Sequence, residues 1–155
     1  MPSRDDIHAE FVERFHIGDP LTPATDDEID RIGIELETAI PAAYRRFMTQ
    51  YGPVYTPDIL DAIVDHQLDY PDVQDLFTPD EAISGTKAYW SAGMPFDVIG
   101  VASDCMGNMI GFRRQTGTLD DAAVIFFDHD LVKVSEIADS FDAFLQWYLD
   151  NIDGS

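Results

Sequence analysis

The sequence predicts an α+β domain: N-terminal helices, a central antiparallel β-sheet of about four strands, and a C-terminal helix packed on the sheet. Three observations carry this prediction. Thr25-Asp26-Asp27-Glu28 and Thr78-Pro79-Asp80-Glu81 are helix-start signals followed by apolar residues at helical spacing. After Met94 the texture changes to short β-branched and aromatic runs, FDVIGVAS, MIGFRR and AAVIFFD, separated by turn-forming clusters. From Ser140 the helical period returns, with Phe141, Phe144, Leu145, Tyr148 and Leu149 on one face.

The elements follow in order. A helix is predicted over Arg4 to His16, capped by Ser3, with Asp5 and Asp6 at its positive end and Ile7, Phe11, Val12 and Phe15 as its stripe. Gly18-Asp19-Pro20 ends it. The Thr25 capping box opens a second helix that buries Ile29, Ile32 and Leu36. Pro41 is expected as the first residue of a third helix, where its missing N–H is not needed. Tyr44, Phe47, Met48 and Tyr51 line the inner face of that helix, and Gly52 closes it.

Thr56-Pro57-Asp58 repeats the start signal. Ile59, Leu60, Ile63, Val64 and Leu68 supply an apolar face for a helix that ends at Tyr70-Pro71. Opposite them stand Asp58, Asp61, Asp65 and Asp69, one on each turn, continued by Asp72 and Asp75. Like charges four residues apart repel by roughly 0.2–0.5 kcal/mol per pair, and aspartate is a weak helix former. Burial of the apolar half offsets that repulsion, which leaves the acidic half facing solvent or a basic partner.

The helix opened by Thr78 carries Ala82, Ile83, Ala88, Tyr89 and Trp90. In the sheet, Asp104-Cys105-Met106-Gly107-Asn108 makes a hairpin loop with glycine where positive φ is needed. Arg114 to Asp121 joins the second and third strands, and Asp128-His129-Asp130 turns the chain into VKVSEIA.

The chain has 155 residues, enough for one packed domain, and 45% of them are hydrophobic. Thirty acidic residues stand against nine basic ones, giving −21, and such a field repels nucleic acid and anionic lipid while attracting basic partners. Twenty-three of the acids are aspartate, so the composition also fits adaptation to a salty cytosol or to a GC-rich genome. A single cysteine, Cys105, rules out an intrachain disulfide and a thiolate metal cluster. The N-terminal stretch has no basic region followed by an apolar run, and no segment approaches 18 apolar residues. The expected location is therefore the cytoplasm.

The usual catalytic motifs are missing, including G-x-S-x-G, the Walker loop, G-x-G-x-x-G and H-E-x-x-H, and the four histidines are scattered over different elements. The expectation is a protein that is not an enzyme and needs no cofactor. The weak metal candidates are Asp104 and Asn108 around Gly107, and Asp128 and Asp130 around His129. Both groups also have the composition of turns, and that is their first reading. Tyr51 to Tyr55 and Tyr89-Trp90 read first as core and second as a binding surface, and Arg45-Arg46 and Arg113-Arg114 read as internal ion-pair partners ahead of anion capture.

Three stretches together resemble one family. DDEIDRIGIELETAIPAAYRRFMTQYG resembles an acidic helix start, an "LP" step at Ile40-Pro41, an aromatic pair at Tyr44 and Phe47, and a closing Gly52. FDVIGVASDCMGNMIGF resembles a strand, a Gly-Asn turn at Gly107-Asn108 and a returning strand. AAVIFFDHDLVKVSEIADSFDAFLQWYL resembles a strand and a final helix opening on Ser140-Phe141 and Phe144-Leu145. The family is that of the SMI1/KNR4 domains, the SUKH superfamily. The sequence departs from its pattern at Gly33, Glu37 and Tyr51.

The resemblance divides the chain into an N-terminal helical extension, 1–24, and one globular SMI1/KNR4-like unit, 25–155. It implies a binding domain without catalytic residues. Many bacterial members are immunity proteins that neutralise a toxin, often a nuclease, and some fungal members are signalling scaffolds. The expected partner is a basic toxin domain, met through Asp58, Asp61, Asp65, Asp69, Asp72 and Asp75, with no role for nucleic acid or membrane. Two other classes stand beside it. One is a small-ligand- or metal-responsive protein using Asp104, Asn108, Asp128 and Asp130. The other is an acidic housekeeping or scaffold domain whose charge reflects salt or genome background.

Overall fold

Two reciprocal caps set the helical frame. In a computed structural model that describes residues 4–152, the Thr25 hydroxyl accepts from the Glu28 amide at 3.1 Å, and the Glu28 carboxylate accepts from the Thr25 amide at 2.9 Å. They open helix α2 (Asp26–Leu36), which buries Ile29, Ile32 and Leu36 as expected. Thr78 and Glu81 repeat the arrangement at helix α5 (Pro79–Ser91). Helix α1 (Arg4–Phe15) precedes them, and its expected cap, Ser3, lies outside the described residues.

Helix α3 (Ala42–Gln50) starts one residue later than expected. Pro41 is the cap, with extended ψ of 133°, and its carbonyl accepts the first intrahelical bond from the Arg45 amide at 3.1 Å. The amides of Ala42 and Ala43, which a side-chain cap would otherwise satisfy, donate to the carbonyls of Leu119 and Asp120 at 2.9 Å each. Gly52 follows with φ of +97°, the left-handed conformation expected of it.

Helix α4 (Asp58–Asp65) is shorter than its sequence pattern. Gln67 takes φ of +53°, the Leu68 amide donates to the Ile63 carbonyl at 3.0 Å, and the Gln67 amide donates to the Val64 carbonyl at 3.3 Å. That pair of bonds is a Schellman closure, so the helix stops before Asp69 rather than at Tyr70-Pro71. Thr56 does not cap it. Its buried hydroxyl donates to the Val73 carbonyl at 2.9 Å, tying the helix entry to the chain that leaves it. Ile59 and Ile63 are buried, whereas Val64 is 64% exposed and belongs to the outer face.

The sheet has five strands where about four were expected: β1 (Asp75–Leu76), β2 (Val98–Ser103), β3 (Met109–Arg113), β4 (Val124–Asp128) and β5 (Lys133–Ala138). The additional strand, β1, is two residues long and pairs Asp75 with Ser103 and Leu76 with Ala102. All pairings are antiparallel and the spatial order is the chain order, a simple meander. Gly111 lets β2 and β3 pass closely, because a Cβ there would overlap the Ile99 carbonyl. Both faces are covered. Ile99, Ile110, Phe112 and Val124 pack into the main core with Phe141 and Phe144, while Val98, Met109, Ile125 and Phe127 form a second cluster with Met94 beneath Tyr89 and Trp90 of α5. Thr86 bonds the Gly100 amide at 2.9 Å and holds α5 on its face.

Helix α6 (Phe141–Asn151) is capped by Ser140, and the Asp121 carboxylate accepts from the amides of Phe141 and Asp142. All five residues expected to point inward, Phe141, Phe144, Leu145, Tyr148 and Leu149, are buried. Helix α1 lies against α6 and is part of the same core. Phe11 is fully buried with its ring centroid 6.1 Å from Tyr148 and 6.3 Å from Phe47. His8 Nε2 sits 2.7 Å from Asp142 Oδ1, and Arg14 donates to the Leu149 and Ile152 carbonyls at the end of α6.

Candidate partner-binding surface

The six aspartates that the sequence placed in one row separate into two groups. Asp58, Asp61 and Asp65 are exposed on α4, and Asp69 is exposed just beyond its Schellman closure. Asp72 and Asp75 turn inward. Asp72 is buried, accepts from the Cys105 amide at 3.0 Å and faces the Cys105 thiol at 3.5 Å. Burial pushes its carboxyl above the ordinary carboxylate range, opposed by the Cys105 hydrogen bonds and reinforced by nearby Asp104. Asp75 accepts from the Ser103 hydroxyl at 3.1 Å, and burial raises it as well. The acidic face is thus Asp58, Asp61, Asp65 and Asp69, while Asp72 and Asp75 tie the segment after α4 to β2 and its loop.

Basic side chains lie elsewhere. Arg45 bridges Asp26 and Asp30, Lys87 meets Glu35, Arg31 meets Asp80, Arg113 meets Asp97 and Arg14 meets Glu10. Arg45 and Arg113 thereby serve as the ion-pair partners the sequence suggested, and Arg114 lies over the Trp90 ring at 4.7 Å. Among the described residues, no ion pair involves Asp58, Asp61, Asp65 or Asp69. Their field is uncompensated locally.

The weak metal candidates are engaged in loop geometry. Asp104 Oδ1 accepts from the amides of Met106 and Asn108 at 2.9 and 2.8 Å, and its Oδ2 accepts from the Asn108 side chain at 2.9 Å. Asn108 Oδ1 in turn accepts from the His129 amide at 3.0 Å and lies 2.6 Å from His129 Nδ1. The structure therefore joins Asp104 and Asn108 to His129, linking the β2–β3 and β4–β5 loops. Asp128 accepts from the amides of Asp130 and Leu131 and closes the second loop. Among the described residues, no group of three or more His, Cys, Asp or Glu is arranged to hold a metal ion. Nor is any helix among them long and apolar enough to cross a membrane.

The sequence marks this end of the sheet through Tyr89-Trp90, the second reading of which is a binding surface. Beside the β4–β5 loop lies a cavity of about 180 Å³ bounded by Tyr89, Gly93, Met94, Phe127, His129 and Val132. Its walls come from α5, from the turn after it, and from the second sheet face. Their convergence depends on tertiary packing, not on spacing along the chain. Tyr89 is half-buried in its wall, and the Tyr89 hydroxyl donates to the Gly107 carbonyl at 2.6 Å.

Comparison with known proteins agrees with this architecture. The chain is similar to a solved protein from Pseudomonas syringae pv. tomato, with a TM-score of 0.55 and 15% identity over 94% of this chain and 96% of that one. A search of curated proteins found no match. The profile of the SMI1 / KNR4 family (SUKH-1) matches residues 23–147, more than half of the sequence, so the chain belongs to the SMI1/KNR4 family.

Proposed function

We propose that this chain is a non-catalytic binding domain of the immunity type, acting in the cytoplasm by occluding a basic toxin domain. The family it belongs to includes immunity proteins. The observation that carries the reading is the uncompensated face of Asp58, Asp61, Asp65 and Asp69 in a chain of net charge −21 whose other surface acids are partly matched by arginine and lysine. A toxin that holds nucleic acid presents clustered cations. Opposed fields of this kind raise association rates toward 10⁸–10⁹ M⁻¹s⁻¹ at low salt, roughly.

The test has two stages. Co-expression with basic toxin domains, beginning with the product of the neighbouring gene, is expected to rescue growth and yield a complex that co-purifies. Replacing Asp58, Asp61, Asp65 and Asp69 together with asparagine is then expected to slow association about tenfold at low ionic strength and to flatten its salt dependence. Absence of both rescue and complex would sink the immunity reading. Unchanged association kinetics in the quadruple variant would move the interface away from α4.

A further inference from the structure

We propose that the cavity beside the β4–β5 loop is an anchor pocket, taking one large aliphatic or aromatic side chain from a cation-flanked segment of a protein partner. The inference deepens the reading above, since it takes the partner to be basic. It adds a second contact of different chemistry.

The cavity has the size and lining for this. Roughly 150 Å³ of apolar space accommodates benzene, and this cavity holds about 180 Å³ over a floor of buried Met94 and Phe127. Its walls are held before any ligand arrives. His129 is fixed through Asn108 to Asp104, and Tyr89 is fixed to the Gly107 carbonyl.

The turn that carries Val132 into the cavity wall is apolar where a turn is ordinarily polar. Leu131 is 72% exposed and Val132 60% exposed, and Met106 on the adjoining loop is 68% exposed. Val132 also has φ of +51°, a left-handed conformation that a β-branched residue rarely adopts. Asparagine or glycine would fit that backbone with less strain and cover the turn as well. A side chain that is both strained and exposed adds nothing to the core, and strained positions cluster where proteins contact ligands.

Charge selects the occupant. Asp130, 79% exposed at its side chain, stands at the rim 3.4 Å from His129 Nε2, with Asp128 beside it. Lys133 stands opposite Asp128 in the ladder, and the Asp130 carboxylate, held only by the longer contact to His129, keeps most of its surface in solvent. A second copy of this chain would bring another −21 to the contact. A segment with lysine or arginine on either side of its apolar anchor matches both the pocket and Asp130.

The test uses the full chain and three synthetic dodecapeptides, followed by amide chemical shifts. One peptide carries a central Phe flanked by Lys and Arg, the second has Ser for Phe, and the third has Glu for the cations. The first is expected to shift Gly93, Phe127 and Val132 saturably, and the other two to bind there at least tenfold more weakly. Val132→Asn is expected to melt no lower than the parent yet to bind the first peptide at least tenfold more weakly. A purely structural valine would not separate the two readouts. Equal shifts with the Ser peptide would overturn the anchor, and equal shifts with the Glu peptide would overturn the basic partner. Concentration-dependent dimerisation with the same amides moving would make the occupant a second copy. Shifts confined to α4 would overturn the pocket while leaving the acidic-face reading intact.

Discussion

Replacing Phe11 with alanine is expected to remove about 4 kcal/mol of stability, although α1 precedes the segment matched by the family profile. Phe11 is fully buried and has neighbours on three elements, Phe15 on α1, Phe47 on α3 and Tyr148 on α6, with ring centroids 5.1, 6.3 and 6.1 Å away. Truncation of a buried Phe to Ala costs about 3–5 kcal/mol. Tilted and edge-on ring contacts make up roughly 0.5–1.5 kcal/mol of that cost per favourable pair. The Phe15 contact lies within one helix and is of local origin, and the measured Phe-to-Ala range already contains the ring contacts with Phe47 and Tyr148, so the middle of that range, about 4 kcal/mol, is the expected loss. For a domain of this size, each kcal/mol moves the melting temperature about 2–4 °C, giving a drop of roughly 8–16 °C. Urea titration followed in parallel by far-ultraviolet dichroism and by fluorescence of Trp90 and Trp147 is the assay. The two transitions are expected to coincide in both proteins and the m-value to stay constant. A loss below about 1 kcal/mol would refute the shared core. So would a far-ultraviolet transition that precedes the fluorescence one in the parent, since α1 would then be unfolding by itself.

Two further substitutions test other links. Gly52→Ala forces a side chain into φ of +97° and against the Thr22 carbonyl oxygen, so thermal melting is expected to report a loss of at least 1–3 kcal/mol, roughly, from backbone strain alone. Asp72 carries the pH prediction. Burial raises its carboxyl in the native state, so the native chain holds the proton more tightly than the unfolded one, and unfolding free energy falls as pH rises through that window. Asp72→Asn removes this dependence and keeps an acceptor for the Cys105 amide. Its stability relative to the parent is therefore expected to improve as pH rises from the ordinary aspartate range through the raised native one in urea titrations. Parallel pH curves for the two proteins would refute it.

The parts of the fold that depend on neighbours in the chain were legible in the sequence. Thr25 with Glu28, Thr78 with Glu81, Ser140 before Phe141, and Gly107 in its hairpin each act over three or four residues, and each is found where its pattern placed it. What the sequence did not reveal depends on contacts across the chain. Helix α4 stops early because Gln67 enters the left-handed conformation, although no glycine or asparagine marks the place. Strand β1 has too few residues for an alternation to show, and it exists because β2 offers an edge. The same holds for the acidic row. Helical spacing placed Asp58, Asp61 and Asp65 correctly, but nothing local distinguishes Asp69, which stays in solvent, from Asp72, which folds inward onto Cys105. His8 looked like any polar position on a surface helix, and its partner Asp142 lies 134 residues away.

That last separation has a consequence for how the protein is made. The strands of the meander pair only with their neighbours in sequence, so the sheet can assemble progressively as it leaves the ribosome. Helix α1 precedes the other elements of the fold and meets Phe47 of α3 early, but its main support, α6, comes last. At translation rates of about 5–20 residues per second, the 134 residues between His8 and Asp142 take roughly 7–27 s to synthesise. Throughout that interval Phe11 and Phe15 lack α6, the element against which α1 finally packs. The first helix of the fold is therefore the last to be fully secured, and α1 closes the nascent domain as a clasp.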